Sequence, residues 1–546
     1  MYDYIIIGAG SAGCVLANRL SANPTLRVLL LEAGPRDWNP FIHMPAGLAK
    51  LVNFRSVNWD YDTEPVPSLD NRQLWWPRGK VLGGSSSINA MCFIRGNPAD
   101  YDEWATLGAR GWDWQSVLPY FKRSQNQERG GDAWHGVGGP LNVADLRYKN
   151  PLSQVFLDAA AECGYPLNRD FNGASQQGFG DYQVTQKDGF RCSTAAGYLK
   201  AARGRANLQV LTGARAERIV LDQGRAVAVN YVHRGRRVRA EAAGEILLAG
   251  GALNSPQLLM LSGIGAAEQL TPHGIEVAQH LPGVGQALQD HLDACTMYRA
   301  TQPITYDRTS DVLIALEFLT RRRGIGTSNI AESGGFVVSK LAQDTRPDIQ
   351  FHFVPALLDD HGRKRLPGYG MTLHACALRP RSRGYLTLAS ADPTAKVRIH
   401  PGYLSDAEGH DLATLIEGVR LSRQIFGARA FAPFAGAEMA PGSGAQSDAE
   451  IAAFIRRKAE SIYHPVGTCA MGDGEAAVVD AELKIRGIAG LRVVDASVMP
   501  KLIGGNTNAP TVMIAEKASD LILRGAASAA RNAIAPPAPN PESASG

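Results

Sequence analysis

Three glycines near the amino terminus have the spacing of a site that binds a dinucleotide. Gly8, Gly10 and Gly13 form the pattern GxGxxG, and Glu32 follows the last of them by about 20 residues. The first glycine permits the turn, the second lets a pyrophosphate approach the backbone, and the third lets a helix pack closely. The carboxylate of Glu32 can accept hydrogen bonds from ribose hydroxyls. These glycines alone do not distinguish FAD from NAD.

A histidine and an asparagine far from that turn are candidates for a different kind of chemistry. His464 precedes a proline, and its imidazole, which titrates near neutrality, suits the removal of a hydroxyl proton. Asn508 and Pro510 stand where a helix over 511–523 would begin, so Asn508 also has the properties of a helix cap. The residue types permit a catalytic role without establishing one.

The elements that must position these residues can be predicted from the apolar pattern. Apolar runs at 4–7 and 28–31 indicate buried strands on either side of a helix at 15–20. The segment 83–89 contains two glycines, three serines and Asn89, whose donors suit an anionic or carbonyl-rich ligand. By itself this segment is equally compatible with an ordinary Gly/Ser loop.

A second region alternates apolar and polar residues. Ile349, Phe351 and Phe353 recur at every second position, which predicts an antiparallel sheet with one face on helices and the other over a ligand. His352 lies between them and could line a pocket, although a structural histidine is the simpler interpretation. We therefore predict an α/β Rossmann-like domain joined to an α+β domain with an antiparallel sheet.

Composition limits the classes of partner. The net charge of +4 over 546 residues gives no support for nucleic-acid binding, and only the run 321–323, three arginines, could favour an anionic surface. Seven cysteines without metal-ligand spacing predict reduced thiols and no metal site. The first strand begins close to Met1, which leaves no room for a signal peptide. We therefore expect a cytoplasmic protein, with any membrane contact peripheral.

Two long motifs resemble the signatures of the GMC (glucose-methanol-choline) oxidoreductase family. The first is GKVLGGSSSINAMCFIRGNPADYD and the second is GALNSPQLLMLSGIG, and the segments LPGVGQALQDHL, YHPVGTCAMG and DASVMPKLIGGNTNAPTVMIAEKASD follow in the family's order. The resemblance covers about residues 1–525 and implies FAD as the cofactor. Some members attach the flavin through a histidine at the position of Ile88, so its absence here implies noncovalent FAD.

The resemblance also assigns roles to individual residues. It implies that His464 is the base and that Asn508 is its partner, with Asn506 as the alternative at that position. Motifs and resemblance together predict the following cofactor-binding residues: Gly8, Gly10, Ser11, Ala12, Gly13, Glu32, Ala33, Gly83, Gly84, Ser85, Asn89, Met91, Ala216, Gly251, Asp495 and Asn506.

The family resemblance implies oxidation of a primary alcohol to an aldehyde by hydride transfer to flavin N5. The segment PDIQFHFVPALLDDHGR is similar to the bacterial alcohol and choline dehydrogenase branch, which favours a quinone-type acceptor over oxygen. The apolar strand at 349–354 favours an uncharged aliphatic or aromatic alcohol over choline. An alcohol oxidase, a hydroxynitrile lyase and a flavin-binding protein without activity remain alternatives, and the oligomeric state is undetermined.

The resemblance and the changes in pattern divide the chain into two domains. The predicted FAD-binding domain comprises 1–160, 200–300 and 461–530, and the predicted substrate-binding domain comprises 161–199 and 301–460. The segment 535–546 is rich in proline, serine and alanine, which predicts a disordered tail.

Overall fold

The chain folds around two sheets, one mainly parallel and one antiparallel. The computed structural model describes residues 1–51, 53–306, 310–360 and 363–534. The predicted combination of a Rossmann-like domain and a domain with an antiparallel sheet is confirmed. The predicted disordered tail at 535–546 lies outside the described residues.

The first sheet contains the amino-terminal strand at its centre. Tyr4 to Ile7 pair in parallel with Val28 to Leu31 on one side, and Ile7 pairs with Leu248 on the other. These residues are buried because helices cover the sheet. The strands in spatial order are Leu208–Thr212, Val28–Glu32, Tyr2–Ile7, Arg236–Leu248, Arg225–His233 and Ala214–Asp222, with Leu491–Val493 also pairing with Arg236–Leu248.

The glycine turn joins the central strand to the helix Ser11–Leu20. A Cβ atom on Gly13 would lie 1.8 Å from the carbonyl oxygen of Gly8, so only glycine allows the helix to approach this strand so closely. Gly8 itself has a φ of +99°, which glycine adopts without strain. The roles predicted for these two glycines in the turn and the packing match this geometry.

The second sheet is antiparallel. Its strands in spatial order are Ala435–Ala440, Leu292–Ala300, Gly370–Ala377, Ile349–Val354, Ser333–Val337 and Gly178–Asp181, with Glu460–Ser461 also pairing with Leu292–Ala300. Phe351 and Phe353 pack into a core with the helices Pro151–Glu162 and His410–Phe426. The alternate residues, His352 and Val354, line a cavity on the opposite face.

This alternation corrects one premise of the substrate prediction. The apolar residues at 349, 351 and 353 face helices, and Phe353 stacks on Phe156 with ring centroids 4.9 Å apart. The strand therefore does not present its aromatic face to the ligand. Any preference for an apolar substrate has to come from other parts of the cavity wall.

Two predicted domain boundaries differ from the packing of the elements. The strand Leu292–Ala300, placed by the prediction in the FAD-binding domain, pairs with Gly370–Ala377 at the centre of the antiparallel sheet. The helix Pro151–Glu162 likewise packs on that sheet. Both differences have the same cause. The apolar residues of these segments pack into the core of the antiparallel sheet, and their place in the sequence did not indicate which core would bury them.

The remaining elements surround the two sheets. The helices are Ser11–Leu20, Pro40–His43, Leu48–Leu51, Pro98–Thr106, Trp114–Ser124, Pro151–Glu162, Gly251–Leu261, Ala267–Leu270, Asp311–Arg321, His410–Phe426, Asp448–Lys458 and Asn508–Ile534. Short strand pairs are Tyr61–Asp62 with Trp75–Trp76, Gln125–Gln127 with Leu141–Val143, Gln186–Lys187 with Phe190–Arg191, Ile264–Gly265 with Gln279–His280, Leu358–Asp359 with Lys364–Arg365, and Tyr385–Thr387 with Arg398–His400. Within the described ranges, none of the helices combines the length and apolarity that crossing a bilayer demands.

Candidate active site

A cavity of about 590 Å³ lies between the two sheets, within the range typical of cofactor and ligand sites. Most of the predicted site residues line it: Gly8, Gly10, Ser11, Ala12, Glu32, Ala33, Gly84, Ser85, Asn89, Met91, Ala216, Gly251, His464, Asp495, Asn506 and Asn508. Gly13 instead packs against Gly8, and Gly83 has a φ of +89° in the turn that precedes Gly84. The segments that the motifs singled out thus meet at one site.

At one part of this cavity, the carboxylate of Glu32 is held by the backbone. It accepts hydrogen bonds from the N–H groups of Ala9, at 2.9 Å, and Gly34, at 2.7 Å. Burial raises the pKa of Glu32 to about 7, although the two backbone donors oppose this shift. Each oxygen retains a second acceptor position, so the carboxylate can still receive a ribose hydroxyl.

Bare backbone surrounds the adjacent part of the cavity. A Cβ atom on Gly84 would lie 2.6 Å from the Cα atom of Gly10, so the two glycine turns face each other in close contact. A Cβ atom on Gly251, which has a φ of +83° and begins the helix Gly251–Leu261, would meet no protein atom within 4 Å. Two helix amino termini and unobstructed glycine backbone fit the pyrophosphate of the FAD that the sequence resemblance implies.

Asp495 also lines the cavity and holds this part of its wall in place. Its carboxylate accepts hydrogen bonds from the backbone N–H of Gly251 at 2.9 Å, the hydroxyl of Ser255 at 2.6 Å and the backbone N–H of Ser497 at 2.8 Å. Burial raises its pKa. The carboxylate therefore fixes the start of the helix Gly251–Leu261 at the cavity edge.

His464 lies elsewhere on the cavity wall, between another histidine and an asparagine. Its Nδ1 is 3.0 Å from Nδ1 of His291, and its Nε2 is 3.3 Å from the amide nitrogen of Asn506. Its backbone N–H donates to Asp290 at 2.6 Å. The preceding residue, Tyr463, has a φ of +68°, and Arg78 donates to its carbonyl oxygen at 2.7 Å, so the loop is held in a conformation that is unusual for tyrosine.

The hydrogen bonds of His291 determine which nitrogen of His464 carries the proton. Nε2 of His291 lies 3.2 Å from the carbonyl oxygen of Leu378, which can only accept, so this nitrogen must be the donor. Burial lowers the pKa of His291 to about 3, which keeps the ring neutral and its Nδ1 a lone-pair acceptor. His464 must therefore donate from its own Nδ1. Its Nε2 consequently bears a lone pair and faces Asn506.

His464 is itself neutral near neutral pH. Burial lowers its pKa well below the ordinary value, and His291 and His352 add to this effect. A neutral imidazole with an unprotonated Nε2 at a cavity wall can accept a proton from a hydroxyl group placed there.

The two candidate asparagines occupy different positions. Asn506 donates toward His464 and accepts from the side-chain amide of Gln350 at 3.1 Å, which fixes its orientation. Asn508 begins the helix Asn508–Ile534, and its side-chain oxygen accepts from the hydroxyl of Ser11 at 2.7 Å. The structure therefore places the alternative residue, Asn506, beside the histidine and places Asn508 beside the glycine turn.

Several site residues were missed by the sequence prediction. Asp290 and His291 belong to the LQDH part of a motif that we quoted without assigning it a role, and that motif was the signal that could have identified them. Gln350 gave no signal, because nothing in an alternating strand distinguishes a glutamine that orients another side chain. His352 both lines the cavity and stacks on Tyr182, with ring centroids 5.2 Å apart.

A further polar group borders the cavity on the antiparallel sheet. Nδ1 of His374 lies 2.6 Å from a carboxylate oxygen of Asp293 and 3.2 Å from the sulfur of Cys295. Each residue offers one possible ligand atom, and the three atoms lie within 4.8 Å of one another. Atoms of these types at this distance could hold a metal ion. These residues come from the paired strands Leu292–Ala300 and Gly370–Ala377, so the spacing of the cysteines along the sequence gave no sign of the cluster.

The comparisons with known proteins agree over nearly the whole chain. Models of the family described as GMC oxidoreductase match residues 2–293 and 380–515. An alcohol dehydrogenase (acceptor) from Pseudomonas putida is 50% identical over 532 residues, which cover 96% of each chain. The mitochondrial choline dehydrogenase of Mus musculus is 48% identical over 536 residues, covering 95% of this chain and 89% of the relative.

Solved structures give the same result. Pyridoxine 4-oxidase from Mesorbium loti superposes with a TM-score of 0.87 at 33% identity, covering 95% of this chain and 99% of that one. The sequence resemblance, the two-sheet fold and these matches all agree. The chain therefore belongs to the GMC oxidoreductase family of FAD-dependent enzymes.

Proposed function

We propose that this protein oxidises uncharged primary alcohols, aliphatic or aromatic, to aldehydes and passes the electrons to a quinone-type acceptor. The observation that carries the proposal is the unprotonated Nε2 of His464, which accepts from the side-chain amide of Asn506 at 3.3 Å at the wall of a cavity suited to a dinucleotide. A base and a hydrogen-bond donor at one point are what the activation of a hydroxyl group requires.

The substrate hydroxyl takes the place that the Asn506 amide now occupies against His464. Nε2 of His464 accepts the hydroxyl proton, while the amide of Asn506 donates a hydrogen bond to the oxygen that gains negative charge. Gln350 keeps that amide oriented. His291 retains the hydrogen bond from Nδ1 of His464, so the ring stays in place when it becomes charged.

The cofactor would be held by backbone and by one carboxylate. Gly10, Gly84 and Gly251 provide the pyrophosphate site, and Glu32 receives the ribose. When bound, FAD supplies the acceptor for the hydride that leaves the alcohol carbon. Ile88 lines the cavity and bears no nucleophile, which supports noncovalent binding.

The choice of an uncharged alcohol depends on the aromatic side chains of the wall. A quaternary ammonium group needs an exposed aromatic face. The guanidinium of Arg363 lies 4.8 Å from the ring centroid of Trp75, and the amine of Lys80 lies 4.8 Å from that of Trp59. These rings already bind cations of the protein, which disfavours choline despite the similarity to choline dehydrogenases.

The acceptor is proposed from the printed name of the relative in Pseudomonas putida, an alcohol dehydrogenase (acceptor), at 50% identity. A quinone acceptor resides in a membrane, so the proposal includes peripheral membrane association. An oxygen-using oxidase is the second candidate, favoured by the structural similarity to pyridoxine 4-oxidase.

An alcohol panel under anaerobic conditions tests both parts of the proposal. We expect straight-chain and aromatic primary alcohols to bleach the flavin absorbance and choline to bleach it far more slowly. The reduced enzyme is then mixed with oxygen or with a soluble quinone, and we expect quinone to restore the absorbance faster. Faster bleaching by choline would contradict the substrate class, and fast peroxide formation would contradict the acceptor. Cyanohydrin cleavage without any bleaching would indicate a lyase.

A further inference from the structure

The helix Asp311–Arg321, hereafter the exposed helix, presents large apolar side chains to solvent. Val312, Leu313, Leu316 and Leu319 are 73%, 61%, 57% and 64% exposed. At 100° per residue these four positions fall within one arc of about 120°. Phe318, on the other side, is buried and contacts Phe190. The helix is therefore attached to the protein through Phe318 and has a second apolar face that is exposed to solvent.

Single exposed leucines are normal on a protein surface. A contiguous apolar stripe is unusual there and indicates a binding surface. Leu107 and Val238, which are also exposed, lie on other segments of the chain. A short helix with an outward apolar face and flanking cations has the properties of a segment that lies in the plane of a membrane interface.

Basic residues lie at both ends of the exposed helix. Arg321 and Arg323 are exposed at its carboxyl end, and Lys50 forms a 2.8 Å ion pair with Asp311 at its amino end. The remaining acidic group of the helix, Glu317, lines one shallow depression together with Arg323 and Arg147. Cations thus accompany the acidic groups of the helix, and Arg321 and Arg323 add positive charge at its carboxyl end.

The exposed helix is also close to the cavity. Leu48 lines the cavity wall, and Lys50, two residues further along the short helix Leu48–Leu51, holds Asp311. The short helix Leu48–Leu51 therefore links the exposed helix to the cavity wall.

We propose that the apolar face of the exposed helix docks on an anionic phospholipid bilayer, with Arg321 and Arg323 contacting lipid headgroups. Burial of Leu313, Leu316 and Leu319 among acyl chains supplies affinity, and the arginines supply preference for negative charge. The role of this docking, delivery of electrons to a quinone in that bilayer, rests on the proposed function, whereas the docking itself does not.

Co-sedimentation of the purified holoenzyme with vesicles tests the proposal. The probes are vesicles of phosphatidylglycerol and phosphatidylethanolamine and vesicles of phosphatidylcholine alone. We expect binding to the anionic vesicles that weakens as salt is raised, and at least tenfold weaker partition for the double variant Leu316→Asp, Leu319→Asp. Leu107→Asp, an equally drastic change of a leucine that is 46% exposed elsewhere, should bind like the wild type.

The two proposals fail in distinguishable ways. Docking is supported if the double variant loses vesicle binding but oxidises alcohol with a water-soluble dye as fast as the wild type. Its turnover with a quinone held in the vesicles should then fall. Equal partition of the double variant and the wild type would overturn docking even if the enzyme oxidises alcohols. A wild type that is dimeric in light scattering, with a monomeric double variant, would assign the face to a second copy of the chain and would also overturn it.

Discussion

The glycine turn and the histidine pair are assembled in opposite ways. The glycine turn, residues 8–13, is one continuous segment that offers backbone groups and excludes side chains. The histidine pair, His291 and His464, joins residues 173 positions apart and depends on which ring nitrogen carries a proton. The comparison shows that a binding surface can be encoded locally, while a reactive group needs the whole fold to fix its protonation.

Removal of the base should have the largest effect. In His464→Ala the hydroxyl proton has no acceptor, so we expect flavin reduction by alcohol to slow by about 10²–10⁴-fold. Stopped-flow absorbance without oxygen measures this rate. Flavin content should stay normal because the proposed cofactor contacts come from Gly10, Gly84, Gly251 and Glu32 and not from His464. A rate within threefold of the wild type would remove His464 from the mechanism.

The two asparagines provide the next test. Asn506→Ala loses the donor beside His464, and we expect the reduction rate to fall by about 10²-fold. Asn508→Ala loses a bond to Ser11 at the start of a helix, and we expect about 1 kcal/mol of lost stability with a rate within tenfold of the wild type. The reduction rates and melting temperatures of the two variants show which asparagine acts beside His464. A larger rate effect at Asn508 would restore the original sequence prediction.

The fold was more predictable than this part of the site. The strand–turn–helix at the amino terminus is local, so glycine spacing and apolar runs determined it. The partner of His464 could not be found in the same way, because Asn506 and Asn508 differ by two residues and only tertiary packing decides which one meets the imidazole. The same limitation hid His291, whose role depends on the carbonyl of Leu378, just after the strand Gly370–Ala377.

Substitution of His291 should have a smaller effect, because it acts through His464. In His291→Leu the Nδ1–H group of His464 loses its hydrogen-bond acceptor, which favours the tautomer with the proton on Nε2. Because that tautomer cannot accept the hydroxyl proton at Nε2, we expect the rate of flavin reduction to fall about tenfold. His291→Asn provides an acceptor oxygen again and should recover most of the rate. If both variants behave alike while their melting temperatures match, His291 has no influence on the tautomer.

The smallest effects on the rate of flavin reduction are expected at the glycine turn, where stability and flavin retention should change instead. Gly13→Ala places a methyl group against the carbonyl of Gly8 and should destabilise the protein by about 1–3 kcal/mol. Gly10→Ala is the matched control, since its Cβ would lie 3.9 Å from the nearest protein atoms. We expect this variant to melt normally without flavin and to retain less of it. Equal melting temperatures for the two apoproteins would contradict the packing argument.

The tautomer of His464 can be observed directly in the resting holoenzyme by ¹⁵N NMR of labelled histidine, assigned with His464→Ala. Because burial lowers the pKa of this imidazole well below its ordinary value, we predict a neutral ring at pH 6 with hydrogen on Nδ1 and a bare Nε2. A charged ring at pH 6, or hydrogen on Nε2, would contradict the account.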